Sequence, residues 1–188
     1  MTKSDLKNSG KANLANTEET VRIRYAERDE LSDIAAFLHD CWHAEYRQII
    51  SDDYMDNMSV AERHKRLLKR FDEGASDFMI MEKESRLIGA SVFGKSFTEG
   101  YENDGEISAI YLQHDFIGKG FGHTFFVRIE QELIAKGYEY LVLDLLEGNT
   151  RANDFYISHG YERVADRSCR LGEKDYPLVV LRKKASDQ

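Results

Sequence analysis

EISAIYLQHDFIGKGFGHTFF, residues 106–126, decides how this chain reads. It opens with the alternation of a half-buried strand and closes on the first turn of a helix with an apolar face. Between the two lies a loop carrying Gly118, Gly120 and Gly122. Such a loop can turn its backbone N–H groups inward, and the helix N-terminus adds partial positive charge, so together they cradle phosphate oxygens. Glycine suits these positions because a Cβ would keep the backbone away from the anion. The G-x-x-x-x-G-K-[ST] loop does not fit, since Lys119 is followed by Gly120. Nor does G-x-G-x-x-G, since Phe121, Gly122 and then His123 follow. A glycine-rich turn can also serve only to start a helix.

Downstream, GFGHTFFVRIEQELIAKG (120–137) places Phe125, Phe126, Ile129, Leu133 and Ile134 on one helical face and Gly137 at the C-terminal cap. YEYLVLDLL (138–146) is an almost unbroken apolar run, as expected of a strand buried on both faces. NTRANDFYISHG (149–160) predicts a short helix, with further strands near YERVAD (161–166) and PLVVLRKK (177–184). Upstream, VRIRYA (21–26) alternates as a strand, and Ile34, Leu38, Cys41, Trp42 and Glu45 recur at helix spacing. After a polar turn, SDDYMDNMS (51–59), Ser59 caps a second helix with Glu62 three residues on and Leu67, Leu68 and Phe71 facing inward. DFMIMEK (77–83) and RLIGASVFGK (86–95) form a hairpin about Glu84 and Ser85, followed by the acidic loop TEGYENDG (98–105). The order β-α-α-β-β-β-α-β-α-β-β implies an α/β fold, a mixed sheet flanked by helices.

The 188 residues fit one domain over 21–188, preceded by a disordered tail over 1–20 that lacks periodicity and any signal-peptide core. No run approaches the roughly 18 apolar residues of a membrane span. Cys41 and Cys169 stand apart from any metal or disulfide framework, which points to reduced thiols and a cytoplasmic protein. With 26 basic against 34 acidic side chains the net charge is −8, which repels phosphate backbones and argues against nucleic acid as a partner.

IYLQHDFIGKGFG resembles the acyl-CoA-binding segment of the GNAT superfamily of N-acetyltransferases, whose pattern is (Q/R)-x-x-G-x-(G/A) after a strand. The pattern lands on Ile117, Gly118, Lys119, Gly120, Phe121 and Gly122, with Ile117 departing from the usual Gln or Arg. GNTRANDFYISHGYERV is similar to the family's closing motif through Asn149, Ala152, Phe155, Tyr156, Gly160 and Tyr161. Two motifs in order, separated by a helix and a buried strand, are far more specific than either alone. The resemblance implies a mostly antiparallel central sheet, acetyl-CoA as co-substrate, and cofactor contacts from residues 117–122 and Asn149. It also implies that a splayed strand offers the free backbone groups of Ile110 and Leu112 to the pantetheine arm.

The implied reaction is direct attack of a primary amine on the thioester, which requires a base, a polarised carbonyl and a proton for the leaving thiolate. Glu106 stands eleven residues before Ile117, where the family often has its general base; a solvated strand-end carboxylate is the plain alternative. Glu106, Ser108, Ile110 and Leu112 are expected to share one strand face. Tyr156 matches the tyrosine that protonates the leaving sulfur, against a role as packing aromatic. Glu99, Glu102, Asp104 and Glu106 would suit a cationic acceptor such as a polyamine. Trp42, Tyr46 and Tyr54 surround the turn that often lids the acceptor site in the family, though such aromatics more often pack.

Metal chemistry is not expected: His39 and His43 lie four apart but lack a third ligand. No G-x-S-x-G elbow supports serine hydrolysis. The expected function is acetyl transfer to a small-molecule amine. Acetylation of a protein N-terminus or lysine, and a non-catalytic acyl-CoA-binding module, are the alternatives. The resemblance also allows a homodimer.

Overall fold

The computed structural model describes residues 21–186, so the expectation for residues 1–20 lies outside the described residues. Along the chain run β1 (Val21–Tyr25), α1 (Leu31–Tyr46), α2 (Asp52–Asp56), α3 (Val60–Asp72), β2 (Asp77–Lys83), β3 (Arg86–Lys95) and β4 (Gly105–Leu112). Then follow α4 (Phe121–Ala135), β5 (Tyr140–Leu146), α5 (Thr150–Ser158), β6 (Glu162–Leu171) and β7 (Lys174–Lys184). The strands make one seven-stranded sheet in the order β1-β2-β3-β4-β5-β7-β6. Every neighbouring pair is antiparallel except β4 with β5.

The β2–β3 hairpin turns where it was expected, with Glu84 and Ser85 both at positive φ (52° and 62°), as a two-residue hairpin turn requires. Ser59 caps α3 by accepting from the Glu62 N–H. Two expectations needed correction. The polar segment 51–59 contains α2, which buries Met55 completely between the sheet's far end and α1. The last two strands are also longer than their apolar cores suggested, because their outer halves pair on an exposed hairpin where alternation is weak. Pro177 lies inside β7, just past the last β5 partner pair, Leu146 with Leu178.

The sheet carries a separate core on each face. On one, α4 and α5 cover the strands through Phe125, Phe126, Ile129, Leu133 and Phe155. On the other, α1 and α3 pack Ile34, Leu38, Leu67 and Phe71 against Phe78, Ile80 and Val92. A third cluster, with Tyr46, Met55 and Tyr176, closes the end where α1, α2 and the β6–β7 hairpin meet.

Candidate active site

β4 and β5 run parallel and pair only at Gly105 with Leu141 and Glu106 with Val142; beyond that they diverge. A cavity of about 600 Å³ fills the divergence. Ile110 and Leu112 line it from β4, Asp144 from β5, Tyr156 from α5, and Cys41 and Tyr46 from α1. The β4 stretch carrying Ile110 and Leu112 keeps β3 on one side and has no strand partner on the other.

The glycine loop meets the cleft at the start of α4. Ile117 ends a single 3-10 turn by donating its N–H to the His114 carbonyl (3.1 Å), and it lines the cavity. Gly118 and Gly120 sit at φ 76° and 87°, and a Cβ built on either meets nothing within 4 Å. Within the chain itself the demand for glycine is therefore conformational. The backbone ladder of α4 starts with Thr124 donating to the Gly120 carbonyl, which leaves the N–H groups of Phe121, Gly122 and His123 outside it. Phe121 holds the loop by packing edge-on against Phe116, with ring centroids 5.6 Å apart. Lys119 is exposed, its ammonium 5.9 Å from the same ring. Gly122 lines the cavity between Leu112 and Phe155.

Glu106 is buried and fully engaged. Its Oε2 accepts from the Ser96 hydroxyl (3.0 Å), the Phe97 N–H (2.7 Å), and the N–H and hydroxyl of Thr98 (both 3.2 Å). Its Oε1 accepts from the Ser108 hydroxyl (2.6 Å), which in turn accepts from Arg70 (3.1 Å). The expected single face for Glu106, Ser108, Ile110 and Leu112 is broken by a β-bulge. Between the pairs Val92–Ala109 and Phe93–Ile107, β4 has one residue too many, Ser108. The extra residue reverses the alternation. Ile107, Ile110 and Leu112 consequently face α4, whereas Ala109 and Tyr111 face α1 and α3, as do Glu106 and Ser108 beside Arg70 of α3.

Asp144, which the sequence reading passed over, interrupts the buried run of β5 and opens into the cleft. Lost solvation, and then the negative charge of Glu106, hold its carboxyl above the ordinary aspartate range. A lone carboxylate inside YLVLDLL was the signal. Tyr156 is kept in its protonated form, because burial first and the neighbouring Tyr46 and Glu45 second raise its pKa. Asn149 caps α5 by accepting from the Ala152 N–H (3.0 Å), donates to the Tyr46 hydroxyl (3.5 Å) and lines the cleft. The acidic loop is partly paired by arginines of β6 and β7. Asp104 forms a two-pronged pair with Arg182 (2.6 and 3.0 Å), Glu99 meets Arg167, and Glu102 accepts the Gly100 N–H.

A model of the acetyltransferase (GNAT) family matches residues 35–161. The chain belongs to the GNAT family and is an acyltransferase. Among its relatives, the uncharacterized N-acetyltransferase YuaI of Bacillus subtilis is 29% identical over 148 residues, 78% of this chain and 83% of that one. The GNAT fold recurs in the PaiA N-acetyltransferase of Thermoplasma acidophilum, solved in complex with coenzyme A. There the TM-score is 0.71 at 20% identity, covering 88% of this chain and 99% of that one. It recurs also in YncA of Salmonella typhimurium, solved with acetyl-CoA (TM-score 0.67, 18% identity, 90% and 96% covered). Among the described residues of this GNAT chain no helix is long and apolar enough to cross a membrane, and no group of three His, Cys, Asp or Glu could hold a metal.

Proposed function

We propose that this GNAT protein moves the acetyl group of acetyl-CoA directly to the primary amine of a small molecule, in the cytoplasm. The observation that carries the reading is the cleft itself. It runs from an α4 N-terminus with three N–H groups outside the helical ladder to a raised carboxylate and a protonated tyrosine. Acetyl-CoA supplies the activated thioester, and the complexes of PaiA with coenzyme A and YncA with acetyl-CoA support it as the donor. The N–H groups of Phe121, Gly122 and His123, with Gly118, Lys119 and Gly120 before them, hold the pyrophosphate. Ile117, Ile110, Leu112 and Asn149 line the path of the arm, and the open β4 edge gives it backbone partners.

Asp144 takes the proton of the incoming ammonium. Its raised pKa makes it a better proton acceptor than an ordinary aspartate. Glu106, whose oxygens accept five hydrogen bonds, serves as a fixed negative charge beside Asp144 in place of the direct proton acceptor expected from sequence. Tyr156 gives its proton to the departing thiolate. Two unpaired cysteines suit a reducing compartment.

The test follows thiol release from acetyl-CoA over amines and peptides, with Tyr156→Phe as control. The variant should lose about 10²-fold in kcat while its acetyl-CoA affinity holds. Equal losses in both would reduce Tyr156 to shaping the pocket, and release with peptides alone would move the acceptor to protein.

A further inference from the structure

Arg63 is a half-buried charged side chain that the fold does not neutralise. It projects from α3 into the space between α1 and α2, its guanidinium carbon 6.0 Å from the centre of the Trp42 ring. Its Nε is sealed from solvent with no hydrogen-bond partner. The groups that bear on its charge are Tyr111, Tyr54 and Arg66, two phenols and a second cation. Among the described residues no carboxylate lies within ion-pair distance. Arg24, Arg28, Arg151, Arg163 and Arg182 all have one, and the other inward arginine of α3, Arg70, is held by the hydroxyls of Ser76 and Ser108.

A guanidinium nitrogen held from water with no acceptor, on a charge with no carboxylate beside it, is a standing penalty on the fold. It is a penalty a protein carries when the opposite charge arrives with a ligand. Two features place that ligand on the acceptor side. Tyr111, beside Arg63, also lines the reaction cleft. Arg63 lies on the α1 and α3 face of the sheet, whereas the glycine loop opens α4, which covers the opposite face. The phosphates of acetyl-CoA are therefore not its partner. Trp42, over which the guanidinium lies, is in turn in edge-on contact with Tyr54, with ring centroids 6.2 Å apart.

We propose that Arg63 is the anion subsite for the acceptor, and that the acceptor is a primary amine that also carries a carboxylate, an amino acid rather than a polyamine or a peptide N-terminus. The planar fork of the guanidinium matches a carboxylate in two-pronged fashion. At the other end Asp144, which lines the cleft, faces the ammonium. In the acidic loop that would have drawn a polycation, Asp104 is already paired with Arg182 and Glu99 lies 3.9 Å from Arg167. The inference rests on the acetyltransferase reading and narrows its substrate class.

The experiment compares kcat/KM across free α- and ω-amino acids, their carboxamides, and spermidine, for the parent and for Arg63→Met and Arg63→Lys. At least one free amino acid should exceed its own amide by tenfold or more. Arg63→Met should erase that preference while acetyl-CoA affinity holds, and Arg63→Lys should restore part of it. Arg63→Met should also raise the Tm of the ligand-free protein, because the unpaired charge is gone. Amides or spermidine used as well as the free acids, or a variant that loses all acceptors equally and melts lower, would overturn the subsite and leave the acetyltransferase standing. No thiol release with any acceptor would overturn acetyl transfer itself, and the subsite with it.

Discussion

Asp144 and Glu106 show how two carboxylates a strand apart acquire different work. Glu106 is tied by five donors, four of them on Oε2, which hold its carboxylate against the Ser96–Thr98 segment. Asp144 opens into the cleft and feels both lost solvation and that fixed charge. A base acts only when deprotonated, and a raised pKa moves its loss of activity to higher pH. The acidic limb of kcat/KM should therefore lie above the roughly 3.9 of an unperturbed aspartate. Asp144→Asn should remove that limb and about 10²-fold of kcat. Glu106→Gln should instead keep the limb and move it down, because the neighbouring charge has gone while the proton acceptor remains. An unshifted limb in Glu106→Gln, with the full loss of rate, would return the base to Glu106. From sequence Glu106 was the candidate base on the face shared with Ser108, and the bulge at Ser108 that breaks that face has no local signature. It comes from fitting β4 against β3, a contact between distant segments.

At the scale of elements, the loop and helix at 117–135 were legible because their causes are local. Glycine supplies positive φ and the apolar stripe supplies the helix. The same holds for the β2–β3 hairpin, while α2 was missed because five residues around one buried methionine leave too short a period to read. The glycine argument makes a prediction. Gly120→Val should fold, since nothing crowds a Cβ there, yet lose most acetyl-CoA affinity, because a β-branched residue resists φ near 87° and will swing the amides out of place. Calorimetric titration decides it, and unchanged affinity would make the glycine a mere helix starter. A second element, β1, is tied down by Arg24. This residue bonds Glu30 (2.7 and 2.6 Å) before α1 and Glu82 (3.0 and 2.9 Å) on β2. Hydrogen bonds from Arg24 hold the Glu30 carboxyl down to about 2 from 4.5. A depressed carboxyl contributes stability above its unfolded pKa and loses it as pH falls through the folded one. Arg24→Met should thus cost about 2 kcal/mol at neutral pH, between the values for exposed and buried pairs. In urea melts that difference should shrink between pH 4.5 and 2; a constant difference would assign it to packing.

Over the whole molecule, the sheet is two antiparallel blocks joined at one short seam, Gly105 and Glu106 against Leu141 and Val142. Strands β1 to β4 come from the first part of the chain and β5 to β7 from the last, so each block is contiguous in sequence. That division gave the protein its cleft, and it also bears on the order in which the chain assembles. The hairpins β2–β3 and β6–β7 close through short turns, whereas the parallel seam must wait for the segment carrying α4 to cross over and dock. Each hairpin can therefore organise before the two blocks meet. In pulse-labelled refolding, amides of β2–β3 and β6–β7 should gain protection ahead of those at Glu106 and Val142; simultaneous protection would make the sheet one nucleus. The place where the protein receives its substrates is, on this account, the last boundary that its own chain closes.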